Sequence, residues 1–354
     1  MTAFLEIRGV TKHFGGGYFT GRPPTVALDD VSFSIPDDRP SITTVAGESG
    51  SGKTTLARML LGIISPTTGS VFYRGKDLAK MGRAQKKQFR REVQPIFQDP
   101  FESYNPFYKV DHVLTTPARN FKVGRGRSDV NKRVDEALET VGLQPAETLG
   151  RFPHQLSGGQ RQRVMVARAL LLRPRVILAD EPVSMVDASL RATILDSILR
   201  LNRELGISVI YITHDLTTAY QISDNIVVLY QGSVAEAGSV EDVIKNPRHP
   251  YTQLLVQSIP QPDPRKRWGE TPVRGDIEQS GAGAGCKFAD RCPYVMDVCR
   301  QQVPPLFQPD QHRVVSCFLQ KDAKVSASRD VTTVFAPPAG AAAGAGVAAG
   351  ARGG

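Results

Sequence analysis

The residues best suited to chemistry begin at Gly47-Glu48-Ser49-Gly50-Ser51-Gly52-Lys53-Thr54, an octet that fits G-x-x-x-x-G-K-[ST]. Glycines let a backbone wrap closely around a polyphosphate, and several N–H groups then converge on it where the dipole of the following helix is positive. In that arrangement Lys53 reaches the β- and γ-phosphates, the Thr54 hydroxyl ligates Mg²⁺, and Thr55 completes the nucleotide-binding set. The β-branched run Ile42–Ala46 before the octet reads as a buried strand, and Thr55–Leu61 after it reads as a helix. Strand, glycine-rich turn and helix start are the context the motif needs. The predicted ligand is a nucleoside triphosphate.

Further chemistry sits at two strand ends. Val176-Ile177-Leu178-Ala179-Asp180-Glu181 is an apolar run closed by two carboxylates. A buried parallel strand reads this way, and such sheets place ligands at the strand's carboxyl end. Asp180 is placed to hold Mg²⁺ through water, and Glu181 to orient and deprotonate the water that attacks the γ-phosphate. Ile207–Ile212 is a second buried strand, and its exit at Thr213-His214-Asp215 puts His214 on the same edge, where it can donate to the γ-phosphate. A second glycine turn, Leu156-Ser157-Gly158-Gly159-Gln160, opens a helix over Arg161–Leu172, and the free N–H groups of that start suit a phosphate.

The elements that hold these residues follow from patterning. Leu5–Arg8, Val26–Leu28 and Val31–Ile35 read as short strands of an opening antiparallel sheet, with Phe14 on its edge. Phe14 can stack on an adenine at about 1–3 kcal/mol, although an aromatic in that place is more often core. Residues from about 80 to 170 read as mostly helical, interrupted by a strand and turn at Val93–Pro100 that carries Gln98. Ile226–Tyr230 and Val234–Glu236 form a closing hairpin around Gln231-Gly232.

Composition bounds the rest. With 40% hydrophobic and 22% charged residues the chain is an ordinary globular one, and no apolar run approaches the roughly 18 residues that span a bilayer. The charged start, Glu6 and Arg8 within Met1–Arg8, argues against a signal peptide and for a cytoplasmic location. The net charge of +9 is spread along the chain, and its densest run, Arg83–Arg91, fits a solvated helix face better than a nucleic-acid patch.

The order of these motifs resembles the nucleotide-binding subunits of ABC transporters over about residues 4–320. The fold this implies is α/β: a phosphate-loop core sheet, an antiparallel β subdomain and a helical subdomain at about 86–170, all within an ATPase domain at 1–245. The resemblance assigns Phe14 to adenine stacking, with Tyr18 and Phe19 as rivals, and Gln98 to sensing Mg²⁺ and the attacking water. It makes Ser157, Gly158, Gly159 and Gln160 the signature that closes on ATP held by the opposite subunit, and Asp187 the link between the two sites. The segment Ser184-Met185-Val186-Asp187 departs from the commoner Ser-Ala-Leu-Asp.

Beyond the ATPase domain, Arg248–Leu255 with Ser258-Ile259-Pro260, and Gly285–Pro293 through Cys299 to Cys317, resemble the C-terminal domain of dipeptide/oligopeptide importer ATPases, placed here at 246–321. Its cysteines Cys286, Cys292, Cys299 and Cys317 follow C-x₅-C-x₆-C-x₁₇-C, without the tight pairs usual for zinc. The resemblance implies a [4Fe–4S] cluster, with zinc or free thiols as alternatives. Residues 322–354, ending in an Ala/Gly run that cannot bury a core, are expected to form a disordered tail dispensable for ATP hydrolysis.

The implied protein is a peripheral ATPase on the cytoplasmic face of the cell membrane, with ATP and Mg²⁺ as cofactors. Its expected partners are two transmembrane permease subunits, a second homologous ATPase subunit or a second copy, and an extracytoplasmic substrate-binding protein. Peptides are the expected cargo, with nickel or oligosaccharides as alternatives. A soluble ABC-type ATPase acting on nucleic acid or ribosomes is disfavoured. Its repair members carry a long coiled coil between phosphate loop and signature, whereas Lys53 and Ser157 lie only about a hundred residues apart. An iron–sulfur sensor that merely binds ATP would have no need of Glu181 and His214.

Overall fold

The computed structural model describes residues 3–15, 24–98, 104–184, 186–259 and 284–335. In chain order the strands are β1 (Ala3–Phe14), β2 (Thr25–Pro36), β3 (Ile42–Ala46), β4 (Thr68–Tyr73), β5 (Lys76–Asp77), β6 (Val93–Ile96) and β7 (Val176–Asp180). They continue as β8 (Ser208–Thr213), β9 (Asn225–Tyr230), β10 (Ser233–Ser239), β11 (Phe307–Asp310), β12 (Arg313–Val315) and β13 (Lys324–Val325). The helices are α1 (Lys53–Leu60), α2 (Arg83–Glu92), α3 (Val110–Asn120), α4 (Arg127–Thr140), α5 (Pro145–Thr148) and α6 (Gly158–Leu170). After them come α7 (Ala188–Arg203), α8 (Leu216–Ile222), α9 (Val240–Lys245), α10 (Pro250–Gln257) and α11 (Asp297–Gln301).

The larger sheet has the order β13-β11-β12-β10-β9-β3-β8-β7-β6, and the run from β9 to β6 is parallel throughout. Every residue of β3, β8 and β9 is buried, as in a sheet covered on both faces. Alternate side chains enter two cores. Leu178, Ile210 and Leu229 pack with α1 and the smaller sheet, while Ile177, Val209 and Tyr211 pack with α3, α4, α6 and α7. α4 presents Val134, Ala137 and Leu138 to that second core and ends as Gly142 takes φ 70°. In α2 only Phe89 is buried, which leaves the basic run Arg83–Arg91 on a solvated face.

Two expectations are corrected and one is refined. The short strands at Val26–Leu28 and Val31–Ile35 are one strand, β2, carried through a left-handed residue at Asp30 (φ 50°). β1 is an inner strand of the order β2-β1-β4-β5 only as far as Thr11, where its pairing with β4 ends; Phe14 beyond it pairs with Thr25 of β2 alone. The tail expected from 322 is ordered through Phe335. β13 pairs with β11, and a 3₁₀ turn at Val331–Val334 buries both valines against the core that contains Val31 and Phe33. Ser34 Oγ lies 2.5 Å from Thr332 Oγ1, and Arg329 Nη1 lies 2.7 Å from Asp30 Oδ2. The Ala/Gly run lies outside the described residues.

The C-terminal region also extends the core sheet. β12 pairs antiparallel with β10, matching Glu236 to Val315 and Gly238 to Arg313. Glu236 and Arg313 are both buried and lie 3.5 Å apart, and the Glu236 carboxylate also accepts from the N–H groups of Arg248 and His249.

Candidate functional site

Neighbouring parallel strands bring their carboxyl ends to one edge, and residues just past those ends build the site. The phosphate loop comes after β3, His214 after β8, Glu181 after β7, and Gln98 two residues after β6. The loop's tight path depends on glycine. A Cβ on Gly47 (φ 151°) would stand 2.3 Å from the Leu229 carbonyl oxygen, and one on Gly52 (φ 103°) 2.4 Å from that of Ala27. α1 then begins at Lys53, with Thr54 exposed and Thr55 half-buried in its first turn.

Lys53 is buried, and its Nζ turns back onto the loop, donating to the carbonyls of Gly47 at 2.7 Å and Glu48 at 2.8 Å. Burial lowers its pKa, opposed by the charges of Glu181, Asp180 and Glu48. Ser51 Oγ is buried and has no hydrogen-bond partner among the described residues. A desolvated ammonium held only by carbonyls and an orphaned hydroxyl fit a phosphate, which supplies the missing anion and acceptor.

Glu181 sits in the left-handed region at φ 44°, a conformation that costs a non-glycine residue about 1–3 kcal/mol. The surroundings hold it there: its N–H donates to Ile212 O at 2.9 Å, and its carbonyl accepts from Ser184 N and Oγ at 3.2 and 2.9 Å. That backbone sends the side chain between two partners. Oε1 lies 2.8 Å from His214 Nδ1, and Oε2 accepts from Gln98 Nε2 at 3.2 Å. Three residues separated widely in sequence thus meet at one carboxylate. The pKa of Asp180 is raised by burial, and Glu181 adds to the shift while Lys53 and Arg58 oppose it. A divalent cation at this place reverses that cost, so Asp180, Thr54 and Gln98 fit as the residues that would hold Mg²⁺.

The signature residues are a helix cap. Ser157 Oγ accepts from Gln160 N at 3.2 Å, and Gln160 Oε1 accepts from Ser157 N at 2.9 Å, closing a capping box at the start of α6. Gln160 therefore shapes the turn. Ser157 is exposed, and Gly158 and Gly159 follow it into the helix. No hydrogen bond joins this turn to the phosphate loop of the same chain among the described residues. Asp187 is exposed at the N-cap of α7 and makes no side-chain capping bond. Phe14 is 44% exposed, with Lys12 Nζ 5.2 Å from its ring centroid. Tyr18 and Phe19 lie outside the described residues.

The four cysteines are unpaired and line one small apolar pocket with Phe288 and Phe318. Burial raises the pKa of Cys286, Cys292 and Cys317, the last to about 12, which favours neutral thiols. Among the described residues no group of three or more potential ligands is arranged to hold one metal ion. As placed, the thiols gather without forming a ligand set, and the expected [4Fe–4S] cluster gains no support from their geometry.

Tyr251 and Arg291, which lie in the stretches Arg248–Leu255 and Gly285–Pro293 but carried no assigned role, contact the phosphate loop at Glu48. Arg291 is 243 positions away from Glu48, and nothing local in the sequence signals the pairing.

A family model described as ABC transporter matches residues 28–184, and one described as the C-terminal region of oligopeptide/dipeptide transporters matches 235–299. The chain is 38% identical to the oligopeptide transport ATP-binding protein OppF of Salmonella typhimurium, covering 88% of this chain and 95% of that protein. It is 37% identical to the di/tripeptide transport ATP-binding protein DppF of Pseudomonas aeruginosa, covering 89% and 97%. Among solved structures, a dimeric ATP-binding cassette in a post-hydrolysis state with ADP and Pi is 28% identical, with a TM-score of 0.59, over 67% of this chain and 98% of that one.

Proposed function

We propose how the chain works from one premise: it belongs to the ABC transporter family, as an ATP-hydrolysing subunit of the peptide-import class. The observation that carries the mechanism is the convergence of Gln98 and His214 on Glu181, at the strand edge that also holds Lys53. Lys53 and the loop N–H groups bind the β- and γ-phosphates. Thr54, Gln98 and Asp180 would hold Mg²⁺, which neutralises charge on the phosphates when bound. Glu181 takes the proton of the attacking water, while Gln98 and His214 fix the direction of its carboxylate.

Within one chain no hydrogen bond joins the signature to the loop among the described residues, which is consistent with a second chain as its target. Two ATPase subunits, this chain with a copy or a homologue, close head to tail on two ATP molecules. The Ser157–Gln160 turn of each then meets the phosphate loop of the other, and Asp187 lies where it can link the sites. Hydrolysis reopens the pair. Among the described residues no helix is long and apolar enough to cross a membrane, so the path must come from permease subunits. We place the chain on the cytoplasmic face of the membrane, with two permeases and an extracytoplasmic binding protein that delivers peptides. Residues 1–245 form the ATPase domain and 246–335 an extension built onto its sheet. A [4Fe–4S] cluster at Cys286, Cys292, Cys299 and Cys317 is kept as a proposal on the sequence resemblance alone, since their placement forms no ligand set. Iron and acid-labile sulfide assayed in anaerobically purified protein test it, and stoichiometric zinc or metal-free thiols would refute it.

The assembly is tested by purifying a tagged Glu181→Gln chain from its own cells with ATP and Mg²⁺ and identifying what accompanies it. Two polytopic membrane proteins and an ATPase subunit are expected. A catch of ribosomes, DNA-bound proteins or nothing would refute the importer reading.

A further inference from the structure

Glu48, the second residue of the phosphate loop, is held at all three of its polar groups. Its N–H donates to Tyr251 Oη at 2.8 Å, and its carbonyl accepts from Lys53 Nζ at 2.8 Å. Its carboxylate receives both arms of Arg291, Nη1 to Oε2 at 2.8 Å and Nη2 to Oε1 at 2.9 Å. Both outside partners belong to the C-terminal extension. Tyr251 is fully buried in α10, packed against Tyr230 and Phe288. Arg291 lies in the short loop between Cys286 and Cys292, its guanidinium 5.7 Å from the Phe288 ring centroid and 5.8 Å from that of Tyr230. The same loop is pinned beside β2, because Lys287 Nζ reaches Asp29 Oδ2 at 2.9 Å and the Gln231 carbonyl at 2.8 Å.

The chemistry of the loop makes this contact consequential. A triphosphate brings several negative charges to a loop whose own side chain at position 48 is a carboxylate. A free carboxylate there repels the ligand and can compete for Lys53. A planar fork bound bidentately neutralises the charge and fixes its direction in a way a flexible ammonium does not.

We propose that Arg291 is a positioning residue for ATP: by neutralising and orienting Glu48 it holds the phosphate loop ready, so nucleotide affinity depends on the seating of the cysteine-bearing loop. The inference rests on reading Gly47–Thr54 as the ATP site, and the test separates the two.

KM for ATP, kcat and equilibrium ATP binding are measured for the full chain as wild type, Arg291→Ala, Arg291→Lys, Glu48→Gln and the Glu48→Gln/Arg291→Ala pair. Thermal melts serve as the folding control. Arg291→Ala is expected to raise KM about 5–20-fold while kcat changes less than about twofold, a usual size for coupling between linked sites. Arg291→Lys, which keeps the charge and loses the fork, should fall between wild type and Arg291→Ala. The decisive outcome is the double variant: its KM should return to within about twofold of Glu48→Gln alone, since the carboxylate that needed neutralising is gone. Should Arg291→Ala fail to fold, Arg291→Lys carries the comparison in both backgrounds. An unchanged KM in the Arg291 variants, or an equal loss with and without the Glu48 carboxylate, overturns the proposal and leaves Arg291 as packing. Wild-type protein that binds no ATP would instead sink the reading of the loop itself.

Discussion

Replacing Glu181 by Gln removes the proposed base and little else. The amide is the same size, its oxygen can accept from Gln98 Nε2, now 3.2 Å from Oε2, and its nitrogen can donate to a neutral His214 Nδ1, now 2.8 Å from Oε1. The left-handed backbone at φ 44° is kept by bonds from Ile212 and Ser184 that do not involve the side chain. The ground state should therefore survive, with ATP affinity within about threefold of wild type. Losing a general base costs about 10²–10⁴-fold, or roughly 3–5 kcal/mol at 1.36 kcal/mol per decade. Steady-state phosphate release should fall by that factor, and the variant should accumulate as an ATP-closed dimer, visible as a shift in elution volume when ATP and Mg²⁺ are present. Turnover within threefold of wild type would refute the role of Glu181. Loss of ATP binding in parallel with turnover would refute the argument that the amide preserves the site.

Three further outcomes rest on single contacts. Ser157→Ala should leave ATP binding to the isolated chain within about threefold but cut ATP-driven dimerisation about tenfold or more, the worth of one hydrogen bond to a charged group, read by sedimentation. Arg313→Met should lose about 3–5 kcal/mol in urea unfolding, because it removes the cation beside the buried Glu236 carboxylate and leaves it the backbone donors of Arg248 and His249, and adding Glu236→Gln should recover much of it. Ending the chain after Phe335 should leave Tm within about 2 °C, whereas ending it after Gln320 should lower Tm by about 4–8 °C, since two buried valines of about 1.5–3 kcal/mol each are lost from β2.

The strand edge that gathers Lys53, Gln98, Glu181 and His214 was legible in the sequence because its signals are local. A phosphate loop, a strand closed by two carboxylates and a histidine after a third strand each announce both an element and the end at which its chemistry sits. Parallel strands then gather those ends without any further information. What escaped depends on pairing across the chain. β1 is an inner strand because β4 joins its far side, and no periodicity in Ala3–Phe14 records that neighbour. Asp30 looked like a break between strands, yet a left-handed residue there keeps β2 continuous. The stretch 322–335 reads as polar, but two valines three apart suffice to seat it once β2 offers a face. The Arg291–Glu48 contact joins two loops by charge alone, which no propensity predicts.

Cargo uptake is the sharpest test of peptide import driven by this chain. Cells lacking the chromosomal copy of this chain, complemented with wild type or Glu181→Gln, would be given labelled di- and oligopeptides, nickel and oligosaccharides in parallel. Peptide uptake should require the wild-type chain and be lost with Glu181→Gln, while nickel and sugar uptake proceed in every strain. Peptide uptake that persists without the chain, or a loss confined to nickel or sugar, would contradict peptide import by this chain.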